Sequence, residues 1–326
     1  MIIHLLVPAG FADRPSGGNV YDRHLHAALV ARGWDVVTHE VRPDEASHAA
    51  AAMPTGSTVL VDSVVASWAP EAFLEAAIHV VPLVHMIFGV PGESELFADA
   101  PAVITTSEWT RRTLLRRHLD PRRVHVATPG VPRVLPTLGS VTGNELLCVA
   151  TLAPAKGHDI LLAALGELAD LDWTCTLVGS VDVDPPFVDR LRKQAADAGI
   201  IDRIRFVGEL SRAGVHAAYA ASDLALLPSR AETYGMVVTE ALAHGLPVVA
   251  SAVGGVPEAL GTASDDRPGM LVRPDDPDPL ARSLRLWLED PTLRRWIRHA
   301  VRVRRRTLPT WEATAAAVAT ALEPLR

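Results

Sequence analysis

The chain has 326 residues, a net charge of −7 and 48% hydrophobic residues. Its length predicts two domains, and its composition favours a packed core over disorder. No run reaches the roughly 18 apolar residues of a membrane span, and the acidic balance argues against a nucleic-acid partner. Residues 1–7 lack the basic start of a signal peptide, and Cys148 and Cys175 are too few for a disulfide scaffold. We therefore expect a cytoplasmic protein.

Apolar runs alternate with helical patterns in the first part of the chain, which is typical of βαβ units and a parallel sheet. Strands are predicted at residues 2–7, 35–39, 58–61, 79–84, 102–105 and 123–126. Helices are predicted at residues 20–32, 70–77 and 108–118. Residues 129–143 are rich in proline and glycine and predict a linker. An N-terminal Rossmann-like domain is therefore expected over residues 1–138.

The alternation restarts after the linker. Strands are predicted at residues 145–150, 174–178, 205–207, 224–227 and 248–251. Helices are predicted at residues 158–168, 187–198, 215–221, 235–244, 279–288, 293–305 and 311–322. We expect a second Rossmann-like domain over residues 139–310, with the helix at 311–326 crossing back to the first. Two such α/β sheets would leave a cleft between them. Ligands of open α/β sheets bind beyond the carboxyl ends of the parallel strands, so we expect the ligand in this cleft.

The most informative segment is residues 227–241, where a strand ends, a polar loop follows and a helix begins. The first free amides of a helix form an anion site. Glu232 lies in the loop and Glu240 inside the helix, and a carboxylate can accept hydrogen bonds from two hydroxyls of a sugar or ribose. The segment therefore predicts two hydroxyl-binding carboxylates beside a phosphate site. The alternative is that Glu232 only interacts with the helix dipole and Glu240 is solvated.

The spacing E-x7-E, followed by G-L-P-V-V-A-S and G-G-V-P-E, resembles the donor-binding signature of retaining GT-B glycosyltransferases of family four. The resemblance implies the GT-B fold. It also implies that Glu232 holds the transferred sugar and that Glu240 holds the ribose. The amides of Thr233, Tyr234 and Gly235 would assist, and the resemblance places contacts to the base near Gly208 and Leu210.

Lys156 lies between a strand and a helix, and it is one of only two lysines in the chain. This position suits an ammonium that meets the diphosphate of the donor, and the resembled family has lysine-glycine here. The family usually carries an arginine five residues earlier, where this chain has Thr151. Either Arg230 or Arg273 replaces that phosphate contact, or the donor differs.

Gly17 and Gly18 precede a predicted helix and would allow close approach of a phosphate or sugar. Their spacing is not G-x-G-x-x-G, which argues against a nicotinamide dehydrogenase. The resemblance implies that the glycine pair touches the donor and that Asn19 and Tyr21 shape the acceptor site. His85 ends an apolar strand; it would contact the transferred sugar, or else it is an ordinary core histidine.

No H-E-x-x-H or C-x2-C motif is present, and no D-x-D triplet suggests a metal site, so neither a metal nor another cofactor is expected. A basic predicted helix with Trp109 leaves weak peripheral membrane contact open. Its arginines are Arg111, Arg112, Arg116 and Arg117.

Together these features predict a retaining glycosyltransferase that works by front-face displacement, with Lys156, Glu232 and His85 as catalytic residues. It would move a hexose-type sugar from a UDP-, GDP- or ADP-sugar to a hydroxyl of a small-molecule or lipid acceptor. The alternatives are a phosphorylase or epimerase of the same fold, and a catalytically silent nucleotide-sugar binding module, which only Thr151 supports.

Overall fold

The computed structural model describes residues 2–12, 16–263 and 266–325. The chain divides into two compact units, one formed by Met1–Gly130 with Pro309–Arg326 and the other by Val131–Leu308. Residues 131–138, predicted to end the first domain, lie in the second unit. The reason is that the Thr137 amide donates to the His244 carbonyl (2.7 Å) and the Thr137 hydroxyl to the Ala220 carbonyl (3.0 Å). The assignment of acceptor and donor roles to the two units stays a prediction.

The first unit is built on a six-stranded parallel sheet with the spatial order β2-β1-β3-β4-β5-β6. Its strands are β1 (Ile2–Pro8), β2 (Asp35–Val41), β3 (Thr58–Asp62), β4 (His79–Val84), β5 (Val103–Thr105) and β6 (Val124–Val126). Every residue of β3 is buried, as expected for a central strand covered on both faces. All six strands were predicted.

The second unit contains another six-stranded parallel sheet, with the order β12-β11-β10-β7-β8-β9. Its strands are β7 (Glu145–Val149), β8 (Thr174–Val178), β9 (Ile204–Gly208), β10 (Leu224–Leu227), β11 (Val248–Ser251) and β12 (Gly269–Val272). The edge strand β12 was not predicted. It has four residues and starts on Gly269, where a Cβ atom would lie 2.0 Å from the Val248 carbonyl oxygen. A strand signal this short is easily missed.

Helices cover both sheets. They are α1 (Gly17–Ala31), α2 (Ala46–Ala52), α3 (Ser63–Trp68), α4 (Pro70–Glu75), α5 (Glu93–Asp99), α6 (Glu108–Leu115), α7 (His158–Gly166), α8 (Pro185–Asp197), α9 (Arg212–Ala220), α10 (Met236–Ala243), α11 (Val256–Leu260), α12 (Pro277–Glu289), α13 (Pro291–Arg304) and α14 (Trp311–Leu322). The sequence did not predict α2, α3, α5 or α11, each of seven residues or fewer. Helices of that length depend on tertiary packing more than on local propensity. The predicted α/β class with two parallel sheets is confirmed.

The last helix packs within the first unit. Trp311 of α14 stacks on His24 of α1 with ring centroids 4.5 Å apart, and it meets Tyr21 edge to face at 5.7 Å. The Thr314 hydroxyl donates to the Thr128 carbonyl at 2.7 Å. Across the described part of the chain, every helix is too short or too polar to cross a bilayer.

Candidate functional site

The loop that carries Lys156 is held against the loop that follows β10. Between β7 and α7 the chain forms a short 3-10 helix, Pro154–Lys156, and then turns at Gly157 with a left-handed φ of 67°. A Cβ atom on Gly157 would lie 2.1 Å from the Pro228 carbonyl oxygen, so only glycine allows this approach. The Arg230 amide also donates to the Ala155 carbonyl (2.9 Å). Backbone contacts therefore fix Lys156 beside the loop of Glu232.

Two of the predicted catalytic side chains form an ion pair. The Lys156 ammonium donates to Oε1 of Glu232 at 2.6 Å, and the Ser229 hydroxyl donates to the same oxygen at 2.8 Å. The Lys156 side chain is 32% exposed and that of Glu232 14%. Both groups therefore reach solvent, and their charges compensate each other.

Arg230, the first predicted replacement for the missing phosphate contact, is paired with acids. Its guanidinium makes a bidentate contact with Asp159 (2.9 and 2.7 Å) and a further contact with Asp275 (2.8 Å). These hydrogen bonds, above all those that Arg230 donates to Asp159, raise the pKa of Arg230. Arg273, the second predicted replacement, pairs with Asp276. Arg230 thus connects its loop to the start of α7 and to the loop after β12, whereas Arg273 contacts a residue only three positions later.

The start of α10 lies directly after Glu232. Gly235 is the N-cap residue with a φ of 91°, which a glycine adopts without strain. The pair Gly254-Gly255 lies behind this loop: a Cβ atom on Gly254 would be 1.6 Å from the Glu232 carbonyl oxygen. The Gly255 amide donates to that same oxygen at 3.2 Å. The G-G-V-P-E sequence is thus the support that shapes the Glu232 loop.

Tyr234 turns its side chain into the core of the second unit. The residue is 3% exposed, and burial raises the pKa of its phenol. Only its backbone is therefore available for the predicted donor contact, whereas Thr233 next to it is half-buried.

Glu240 is held by a buried tyrosine. The Tyr219 hydroxyl donates to Oε2 of Glu240 at 3.3 Å, and burial raises the pKa of the Glu240 carboxyl. The Tyr219 ring stacks on His244 with centroids 4.5 Å apart, and Nδ1 of His244 contacts the Glu240 carbonyl at 2.8 Å. This packing fixes the carboxyl that was predicted to bind ribose.

The other predicted donor-binding residues lie at the carboxyl ends of strands in the same sheet. Gly208 ends β9 with a φ of 71°, and a Cβ atom there would meet nothing within 4 Å. Leu210, two residues later, is half-buried against the core. Thr151 follows β7 and is also half-buried. Lys156, Glu232, Gly208 and Thr151 thus all follow parallel strands, at the edge of a sheet where ligands of this fold class bind.

In the first unit, Ser16 caps α1 by accepting from the Asn19 amide (3.1 Å), which makes Gly17 and Gly18 the first two helical residues. Asn19 is 6% exposed. Tyr21, predicted to bind the acceptor, is 1% exposed, and its hydroxyl donates to the Ala127 carbonyl at 2.9 Å. In this structure the Tyr21 side chain is therefore part of the core of the first unit. The start of the predicted glycine-rich loop, at positions 14 and 15, lies outside the described residues.

His85 follows β4 and contacts two acids. Its Nε2 lies 2.8 Å from Oδ1 of Asp22, and Asp62 lies nearby at the end of β3. Burial lowers the pKa of His85, but the charges of Asp22 and Asp62 and the hydrogen bond to Asp22 outweigh it and raise the pKa to about 9. A Cβ atom on Gly18 would lie 3.3 Å from the ring, so the glycine pair leaves little space above it.

All four arginines of the predicted basic helix have partners, two of them within α6 and two directly after it. Arg111 and Arg112 contact Glu108 at 3.2 and 3.6 Å, and Arg117 lies 4.0 Å from Glu93. Arg116 donates to the Thr113 hydroxyl.

Sequence reasoning did not identify Asp22, Asp62, Ser229 or Tyr219. Asp62 had a signal, because it is the charged residue that directly follows the apolar run of residues 59–61. Asp22 had none, since an acid in the second turn of an amphipathic helix is ordinarily solvated. Asp22, Asp62 and Tyr219 approach a predicted site residue only through the tertiary fold, whereas Ser229 contacts Glu232 three residues away in the same loop.

The chain is similar in sequence to known glycosyltransferases. Residues 138–304 match the family model described as glycosyl transferases group 1. The D-inositol 3-phosphate glycosyltransferase of Thermomonospora curvata is 32% identical over 250 residues, which are 69% of this chain and 57% of that protein. D-inositol 3-phosphate glycosyltransferase 1 of Catenulispora acidiphila is 33% identical over 224 residues, 62% of this chain and 52% of that protein. The chain spans about half the length of the curated relatives it matches.

Solved structures share the fold over almost the whole chain. Sucrose-phosphate synthase from Thermosynechococcus elongatus has a TM-score of 0.81 and 22% identity, covering 99% of this chain and 98% of that one. Anabaena Alr3699/HepE in complex with UDP-glucose has a TM-score of 0.81 and 19% identity, covering 99% of this chain and 100% of that one. These likenesses confirm the predicted GT-B fold class.

Proposed function

Because the chain belongs to the group 1 glycosyl transferases, we propose that it transfers a hexose-type sugar from a nucleoside diphosphate sugar to an acceptor hydroxyl, with retention of configuration. The observation that carries the proposal is the pair of Lys156 and Glu232, 2.6 Å apart beside the start of α10. A cation and a carboxylate side by side fit the two parts of such a donor, since one attracts phosphate and the other accepts from sugar hydroxyls.

Lys156 would stabilise the charge that develops on the departing diphosphate. A pair of unit charges 4 Å apart is worth about 4 kcal/mol at an effective dielectric of 20, whereas a helix N-terminus contributes about 0.3–1 kcal/mol. The ammonium is therefore the main source of leaving-group stabilisation, and the first amides of α10 assist. A bound diphosphate would share Lys156 with Glu232, and the second carboxylate oxygen of Glu232 would accept from the sugar.

The reaction would proceed on one face of the sugar. The acceptor oxygen forms a bond to the anomeric carbon while the bond to the diphosphate breaks, and a diphosphate oxygen takes the acceptor proton. Glu232 is poorly suited to act as a nucleophile, because its Oε1 already accepts from Lys156 and Ser229. Front-face displacement needs no such nucleophile, so this arrangement supports it.

The names of relatives suggest the first substrates to test. The relatives are named D-inositol 3-phosphate glycosyltransferases, and one structural neighbour was solved with UDP-glucose. We therefore propose a UDP-sugar as donor and a small polyol phosphate as acceptor, ahead of GDP- or ADP-sugars and lipid acceptors. Metal-independent turnover is part of the proposal.

The experiment combines binding and turnover on the full chain. A thermal-shift series with UDP, GDP and ADP identifies the base, because a ligand that binds the folded state raises its apparent stability. Transfer from the matching nucleotide sugar is then measured with and without EDTA, and the configuration of the product is read by NMR. No thermal shift with any of the three nucleotides, or an inverted product, would contradict the proposal.

A second candidate is a nucleotide-sugar binding module without turnover. Thr151 in place of an arginine favours it, as do the acidic partners of Arg230 and Arg273. Calorimetry that finds tight UDP-sugar binding, with neither transfer nor hydrolysis over many acceptors, would support this candidate. Turnover that requires free phosphate in place of the nucleotide would indicate a phosphorylase instead.

A further inference from the structure

Three buried polar side chains meet in the first unit at the carboxyl ends of neighbouring strands. Asp62 is the last residue of β3, His85 follows β4, and Asp22 reaches them from α1. Asp22 is 0% exposed and Asp62 1%, and the His85 side chain is 10% exposed. One polar atom from each side chain lies within 4.8 Å of the other two.

The positions of all three are fixed by the surrounding backbone. Oδ1 of Asp62 accepts from the Val64 amide at 2.7 Å and so caps α3. The His85 amide donates to the Ser63 hydroxyl at 3.1 Å, which ties the histidine to the residue after Asp62. Nε2 of His85 lies 2.8 Å from Oδ1 of Asp22. Hydrogen bonds to the surrounding backbone and side chains therefore hold the three side chains of the cluster in place.

The charges of the cluster do not balance if every acid is ionised. Two carboxylates would then face one imidazolium in a buried place, where an uncompensated charge is costly. Moreover, Oδ2 of Asp22 is buried and has no hydrogen-bond partner among the described residues. A proton on Asp62 resolves both problems, because it removes one negative charge and supplies the missing donor.

We propose that Asp22, Asp62 and His85 form a proton-sharing triad in which protonated Asp62 donates to Oδ2 of Asp22, and ionised Asp22 pairs with the imidazolium of His85. The proposal involves only the location of protons, and no other bond is made or broken. An imidazolium carries a proton on both ring nitrogens, so His85 acts as a hydrogen-bond donor and not as a base. Asp22 and Asp62 are positioning residues, and their importance for sugar transfer rests on the proposed function.

The protonation equilibria agree with this geometry. Burial, together with the charge of Asp22 and a hydrogen bond to it, raises the pKa of Asp62 to about 7 against the opposing charge of His85. The pKa of His85 is raised to about 9 by the two acids despite its burial. Among the described residues, the titratable groups that face His85 are Tyr21 and Asp22 from α1 and Asp62 from β3.

The test is an NMR titration of the ring nitrogens in the full-length chain between about pH 5 and pH 10, with His85→Gln to assign the signals. His85 should stay doubly protonated through neutral pH. Asp22→Asn should lower its midpoint by at least about one pH unit, because the paired charge is lost. Asp62→Asn should leave His85 protonated at pH 7, since an amide can donate to Asp22 and still accept from Val64. Asp44→Asn, an exposed site, is the control for loss of an acid.

A titration midpoint of His85 near the ordinary value of about 6.5 would overturn the triad. Equal shifts of that midpoint in Asp22→Asn and Asp62→Asn would do the same. Broadening of the His85 signals by Mn²⁺ would also overturn it, because a cation would then occupy the place of the proton. If Asp22→Asn does not fold, the carboxyl carbon shift of Asp62 in the unaltered protein, read at about pH 6, decides whether that group is protonated. These measurements need no turnover. A failed transfer assay therefore leaves the triad standing, and a failed titration leaves the transferase proposal standing.

Discussion

The Lys156 ammonium lies 2.6 Å from a carboxylate oxygen of Glu232, although 75 residues of chain separate the two positions along the sequence. The pair joins the loop after β7 to the loop after β10. Its two charges compensate each other, so under the proposed function a bound diphosphate would share Lys156 with Glu232.

Lys156→Met keeps the length of the side chain and removes its charge. We expect kcat to fall about 100-fold or more, which is the usual effect of removing one electrostatic contact to a developing oxyanion. The thermal shift with nucleoside diphosphate should shrink as well. Lys193→Met is the matched control, because Lys193 is 75% exposed on α8 and pairs only with Asp197 among the described residues. Equal activity of the two variants would remove Lys156 from the mechanism.

Thr151→Arg should strengthen binding of the diphosphate. A hydrogen bond to a charged group contributes about 1.5–3 kcal/mol, so the Kd for the preferred nucleoside diphosphate should fall about tenfold or more. Thr142→Arg adds the same charge at an exposed position of the second unit and serves as the control. Calorimetry in which both variants bind like the original chain would show that position 151 does not face the phosphates.

Gly254→Ala should displace the Glu232 loop. A Cβ atom there would lie 1.6 Å from the Glu232 carbonyl oxygen, and the left-handed φ of 52° adds strain. We expect the free energy of unfolding to fall by more than about 2 kcal/mol, with nucleotide binding lost. Gly166→Ala in α7 is the control: its Cβ atom would come no closer than 3.4 Å to Ala198, so stability should be unchanged or rise slightly. Urea unfolding measures both, and equal stabilities would refute the contact.

The stability of the first unit should decrease from neutral to alkaline pH. The pKa of His85 is about 9 in the folded state and about 6.5 in an unfolded chain. The folded state therefore binds more protons between these values, and its stabilisation is fully present below about pH 6.5 and is lost as the pH rises through 9. Urea unfolding followed by tryptophan fluorescence should show this decrease, and His85→Gln should flatten it. The same slope in both proteins would contradict the raised pKa.

Most strands of the two sheets were predictable because they appear in the sequence as short apolar runs. A run such as residues 59–61 is apolar at every position, as expected for a parallel strand covered on both faces. The strand β12 was missed because a single glycine at 269 replaces the first apolar side chain. The glycine is needed because the backbone at position 269 closely approaches Val248, and this contact forms only in the folded sheet.

The site was predictable where a motif fixed both residue and loop. Lys156, Glu232 and Gly235 stand at strand-to-helix turns, so their shared edge follows from the topology. The contacts of Arg230 were beyond the sequence, because Asp159 and Asp275 become its partners only when three loops meet. Asp22 was likewise invisible, since nothing in a helical pattern tells which acid faces a histidine 63 positions away.

Gly157, Gly254 and Gly255 each pack directly against the backbone of a neighbouring loop. The loops that carry Lys156 and Glu232 therefore cannot be altered one at a time. Redesign of donor preference would therefore succeed best at the periphery of this block. Gly208 is the natural starting point: its missing side chain would meet open space, and its φ of 71° is one that asparagine tolerates. Under the proposed function, an amide added there could contact the base without disturbing the loops proposed to bind the sugar and the phosphates.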